Sequence, residues 1–142
     1  MKKLSHAAAY LAIFSNIISP AYATTINSST TDNIVLNSSD STLNIASGGD
    51  LYADDTSLPT VSGSSFSTYT LNVNSGNSGN GINSTSSTDS TVYFTDSLAN
   101  INITTGRIDG LVAGNAGTIF LENSRAGTNN VIISAGAYLQ NR

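Results

Sequence analysis

The sequence predicts an all-β chain whose strands stack as a parallel β-helix, a β-solenoid of irregular ~30-residue repeats. Three observations carry this. An aliphatic–polar–aliphatic triplet followed, after two further residues, by glycine occurs four times, as Leu43-Asn44-Ile45-Ala46-Ser47-Gly48, Leu71-Asn72-Val73-Asn74-Ser75-Gly76, Ile101-Asn102-Ile103-Thr104-Thr105-Gly106 and Val131-Ile132-Ile133-Ser134-Ala135-Gly136, with Ile132 in the polar place of the last. Their first residues lie 28, 30 and 30 positions apart. Apolarity within each copy alternates with a strand's period of two, and nothing after residue 23 carries a helical period. Antiparallel β-sandwiches also place short strands at close, regular spacing, so a sandwich is the alternative fold.

The elements follow in chain order. Residues 1–23 read as a signal peptide: Lys2 and Lys3, an apolar stretch from Ala7 to Ser19, then the small-x-small site Ala21-Tyr22-Ala23, with cleavage expected after Ala23. The rest, 24–142, makes one domain. Asn33–Leu36 is a short apolar run closed by Asn37-Ser38, and Thr42–Ile45 is the first repeat, closed by Gly48. Leu51–Ala53 follows, and then Asp54–Ser65, an irregular connection because Pro59 cannot donate within a ladder. Tyr69–Val73 is the second repeat. Asn74–Ser90, with Ile82 as its only apolar residue, reads as a mobile surface loop too polar for a core. Thr91–Phe94, Ala99–Ile103, Gly110–Ala113, Thr118–Leu121, Asn130–Ser134 and Ala137–Leu139 complete the strands.

A second motif precedes the triplet in three units: Asn33-Ile34-Val35-Leu36, Thr91-Val92-Tyr93-Phe94 and Thr118-Ile119-Phe120-Leu121. Its counterpart in the second unit, Ser62–Thr68, is degenerate. Alternation points Ile34/Leu36, Leu43/Ile45, Leu71/Val73, Val92/Phe94, Ile101/Ile103, Ile119/Leu121 and Val131/Ile133 inward. Asn44, Asn72 and Asn102 then stack outward, where their amides can bond along the stack. Val35, Tyr93 and Phe120 share an outward place, and with Ile132 they form an apolar-aromatic stripe, the candidate binding residues.

Composition excludes several chemistries. Beyond residue 23 the chain has three Arg against eight Asp and one Glu, a formal net of −6, which disfavours nucleic acid and anionic lipid. That region holds no Lys, His or Cys, so Ser-His-Asp or thiol catalysis and imidazole or thiolate metal ligation have no residues to use. No catalytic residue, metal site or cofactor is expected. The densest acidic segment, with Asp50, Asp54 and Asp55, reads as a solvated turn rather than a calcium loop. Arg107 and Arg125 are expected in turns of different units. No segment after residue 23 reaches transmembrane length, so the chain is not expected to be an integral membrane protein.

An export signal followed by cysteine-free, Ser/Thr/Asn/Gly-rich strand repeats resembles the passenger region of bacterial autotransporters, the pertactin-like and adhesin-type β-helices. The resemblance covers residues 24–142 and rests on the φ-Asn-φ-x-x-Gly repeat. It implies a surface module that is structural or adhesive, not an enzyme, with a host or cell-surface protein, a glycan or a second copy as partner. The C-terminal membrane barrel of that plan is not expected within these residues, which makes the chain an N-terminal fragment, a truncated gene product or a stand-alone exported protein. Export through the Sec pathway would leave it at the cell surface or, without a barrel, in the periplasm. A β-helical carbohydrate-active enzyme fragment and a β-sandwich binding module are the alternatives.

Overall fold

A computed structural model describes residues 22–65, 67–84, 89–110, 117–122 and 126–141. Thirteen strands occur among them, and no helix. In chain order they are β1 (Tyr22–Ile26), β2 (Ser29–Thr31), β3 (Ile34–Leu36), β4 (Asp40–Ile45), β5 (Asp50–Tyr52), β6 (Val61–Gly63), β7 (Thr68–Asn74), β8 (Gly81–Asn83), β9 (Val92–Thr95), β10 (Leu98–Gly110), β11 (Ile119–Glu122), β12 (Asn130–Ile133) and β13 (Ala137–Asn141).

Every pairing between them is parallel. Strands β1, β4, β7, the first half of β10, and β12 form a first face. Strands β2, β5, β8, the second half of β10, and β13 form a second. Strands β3, β6, β9 and β11 form a third. Each circuit of the chain adds one strand to each face, which is a β-solenoid. The antiparallel sandwich is thereby excluded.

The predicted register is the observed one. Leu43 pairs with Leu71, Leu71 with Ile101 and Ile101 with Val131, so the four repeats lie in one row. All four repeat glycines have positive φ, at 83°, 74°, 105° and 86°, the left-handed region that bends the chain sharply. At Gly106 the strand does not end as expected. Instead β10 runs through that residue and carries the ladder from the first face onto the second.

The Asn column forms as alternation predicts. Asn102 Nδ2 donates to Asn72 Oδ1 at 3.0 Å, and Asn72 Nδ2 donates to Asn44 Oδ1 at 2.9 Å. A second column links Asn33, Thr60, Thr91 and Thr118, each of which opens a third-face strand. Each donates to a carbonyl one rung on: Pro59 (2.9 Å), Asn83 (3.0 Å), Asp109 (3.0 Å) and Gln140 (3.0 Å). These bonds tie consecutive circuits together at the corner, beside the backbone bonds from Ile34, Val61 and Val92 N–H to the carbonyls of Thr60, Thr91 and Thr118.

Four expectations need correction. Strand β6 lies inside the supposed irregular connection, because the second unit's counterpart of the Thr-Val-Tyr-Phe motif is Thr60-Val61-Ser62-Gly63, not Ser62–Thr68. Strand β8 lies inside the supposed loop 74–90, with Ile82 fully buried in the core. A single inward aliphatic suffices there, because Ile82 is the middle residue of a three-residue strand and its two neighbours face the other way. Arg107 sits within β10, not in a turn. Val131 and Ile133, predicted inward, are 43% and 45% exposed, since no described strand lies over the last circuit. The remaining predicted inward residues are buried or pack against the core cluster.

The expected signal peptide lies outside the described residues except for Tyr22 and Ala23, which open β1. Arg125 and most of Gly110–Ala113 also lie outside them.

The Asn column yields a graded test. Asn72→Ala removes two ladder bonds and is expected to lower stability by about 1–3 kcal/mol, with Asn102→Ala costing roughly half as much, in chemical denaturation.

Candidate binding face

On the third face, alternation sends Leu36, Gly63, Phe94 and Leu121 inward and Val35, Ser62, Tyr93 and Phe120 outward, each set in register. The outward row is apolar except at its second member. Tyr93 and Phe120 lie on adjacent rungs with ring centroids 5.1 Å apart and planes within 9° of parallel. Rungs are spaced about 4.8 Å apart, so these rings stack along the solenoid axis. The second face of the Tyr93 ring is therefore directed over Ser62, toward Val35.

The stripe predicted from sequence is thus assembled in part. Val35, Tyr93 and Phe120 share one row. Ile132 stands over Asn102 on the first face and does not join them. The reason is that Ile132 replaces an Asn of the triplet motif, whereas the other three belong to the second motif. The two motifs lie on different faces.

A cleft of about 480 Å³ opens on this row, lined by Val35, Pro59, Ser62, Gly63, Ser64, Asp89 and Tyr93. It exists because the second rung is small on both surfaces. Outward, Ser62 stands where the other rungs carry Val, Tyr or Phe. Inward, a Cβ at Gly63 would meet Tyr69 Cε2 at 2.5 Å. Tyr69, on β7, fills the space that an inward side chain of β6 would otherwise take. Its ring is fully buried 4.9 Å from that of Phe94, and its hydroxyl accepts from the Ser65 backbone N–H at 3.0 Å. The cleft floor therefore rests on packed aromatic structure and not on a loop. Among the described residues, the hydroxyls of Ser62, Ser64 and Tyr93 make no hydrogen bond to the protein.

A polar network on the second face went unseen in the sequence. Asp50 Oδ1 accepts from the Gly81 N–H at 2.9 Å and from Asn83 Nδ2 at 2.6 Å. Arg107 Nε donates to Asn83 Oδ1 at 3.0 Å, and its Nη1 lies 3.7 Å from Asp109 Oδ2. Asp50, Asn83 and Asp109 are all buried. In the sequence Asp50 falls in a segment read as an acidic turn and Asn83 in one read as a polar loop, so nothing there marked them as one network. Asp50 is thus committed to interstrand bonds, while Asp54 and Asp55 are exposed beyond the end of β5.

The Asp55 carboxyl is held below its ordinary pKa by the Ser57 hydroxyl and then by the Ser57 N–H, at 2.6 and 2.8 Å. A lowered pKa means these bonds favour the turn at neutral pH and are lost as pH falls through that value.

No family model, curated protein or solved structure matches this chain. Among the described residues, no helix is long and apolar enough to cross a membrane.

Two expectations follow. Gly63→Ala is expected to cost about 1–3 kcal/mol, with a coupling to Tyr69→Leu of at least about 0.5 kcal/mol in a double-mutant cycle. Ser57→Ala is expected to raise the Asp55 pKa toward its ordinary value in a carboxyl NMR titration.

Proposed function

We propose that this chain is an exported, non-catalytic surface module of the autotransporter-passenger type, acting by multipoint contact along its third face. The observation that carries the reading is the exposed, in-register row of Val35, Tyr93 and Phe120, 67%, 37% and 40% exposed, with its two rings stacked. Flat β-solenoid faces hold such side chains at fixed spacing, so an adhesive contact needs little ordering on binding. Exposed apolar rows of this kind often mark interaction sites.

The enzymatic alternative is less well supported. A glycoside hydrolase needs two carboxyl groups facing its substrate across a cleft, and among the described residues Asp89 is the only acidic one lining this cleft. On this reading the leader formed by residues 1–23 is removed after Ala23, and the domain works at the cell surface, or in the periplasm if no barrel carries it out. Its partner is a host or cell-surface protein, a glycan or a second copy.

The test is adhesion of cells or beads displaying the chain. Tyr93→Ser with Phe120→Ser should reduce adhesion several-fold while the β-type circular dichroism is retained. Unchanged adhesion, or polysaccharide cleavage that is lost on replacing Asp89, would overturn the reading.

A further inference from the structure

We propose that the gap at Ser62 is a binding site for a single pyranose ring of a neutral glycan, a site that goes beyond the surface-contact reading and shares Tyr93 with it. The outward row runs Val35, Ser62, Tyr93, Phe120, and only the second place lacks a large side chain. Val35 and Tyr93 are two rungs apart, roughly 10 Å at the usual strand spacing. The space between them is one ring wide, and the open face of Tyr93 forms one wall.

The chemistry of the walls selects the occupant. An aromatic face is electron-rich, so it attracts the polarised C–H groups on the flat face of a sugar ring. An aromatic ligand would also stack there. However, Ser62, Ser64 and Tyr93 line the slot, and their hydroxyls have no partner among the described residues. A phenyl ring would leave those groups without new bonds, while a pyranose offers hydroxyls around its whole edge. Acidic sugars are disfavoured because no basic side chain lines the cleft among the described residues and the chain is formally −4 overall.

The floor is pre-formed. Val61 and Gly63 flank Ser62 on β6 and are both buried, with Gly63 against the Tyr69 ring. Binding therefore requires little reorganisation of the backbone. A ligand of this size with one stacking wall implies a Kd of about 1 mM, tightened where a longer glycan also reaches Phe120.

The experiment is an NMR titration of the isotope-labelled full chain with methyl β-glucopyranoside and methyl β-galactopyranoside. Glucuronic acid serves as the acidic control and benzyl alcohol as the aromatic one. At least one neutral pyranoside should shift the amides of Val35, Ser62, Ser64 and Tyr93 saturably, and more strongly than either control. Tyr93→Ala should weaken that binding by roughly tenfold, the loss of one stacking wall. Ser62→Phe places the missing ring in the row and should abolish the shifts without lowering Tm. That variant leaves the outward row longer and more apolar, so displayed cells should still adhere. Loss of sugar binding and loss of adhesion are therefore read separately.

The proposal is overturned if neither pyranoside gives saturable shifts up to roughly 100 mM, well above the expected Kd. It is equally overturned if Ser62→Phe leaves the shifts intact, or if benzyl alcohol or glucuronic acid binds more tightly than both neutral sugars.

Discussion

The constraint on which the rest depends is parallel in-register pairing. In a solenoid each residue has one neighbour above and one below of the same facing, at about the strand spacing. A side chain is therefore not packed against a general interior but against the equivalent residues of adjacent circuits. The row Leu43, Leu71, Ile101 and Val131 shows the consequence, since the three members with a circuit on each side are fully buried and Val131, with a described circuit on one side, is 43% exposed. The same rule turns Asn44, Asn72 and Asn102 from three solvated amides into a bonded column.

That rule also makes a local departure informative. One small residue in a row removes a whole contact along the axis and leaves a slot bounded by its two neighbours. At the second rung the departure occurs on both surfaces, Ser62 outside and Gly63 inside, yet no void results inside. Tyr69 enters from the first face and packs beside Phe94 with the rings tilted by 39°, so the inner deficit is filled while the outer one stays open. A protein interior closes such gaps at about crystal packing density, and a surface is under no such demand. The asymmetry between a filled interior and an open exterior is what gives the cleft its firm floor.

Cohesion in this cysteine-free chain comes from apolar rows and from buried polar bonds that run between circuits. The Thr60, Thr91 and Thr118 hydroxyls each bond a carbonyl of the following circuit at the same corner. On the second face, Asp50, Asn83, Arg107 and Asp109 join three circuits through side chains. Buried charges are tolerated only when paired or hydrogen-bonded, and here the carboxylates of Asp50 and Asp109 are both engaged. This network and the Thr column act between circuits, and at the corner they add to backbone bonds such as Val61 N–H to Thr91 O and Val92 N–H to Thr118 O.

Sequence alone determined the solenoid, because a period-two triplet recurring every 28 to 30 residues with a following glycine can bury itself in few other ways. It also determined the Asn column and the inward aliphatic rows. It concealed β6 and β8, since Thr60-Val61-Ser62-Gly63 and Gly81-Ile82-Asn83 carry one inward aliphatic each, too little to stand above a polar background. It also merged Ile132 with Val35, Tyr93 and Phe120, which alternation alone marks as outward but cannot assign to a face. The face is decided by the corners, whose angles come from how whole circuits pack. Tertiary structure alone therefore decided that Tyr69 would fill the place left by Gly63, and that Ser62 would become the floor of a cleft. Both follow from contacts between residues that are adjacent only once the circuits are stacked.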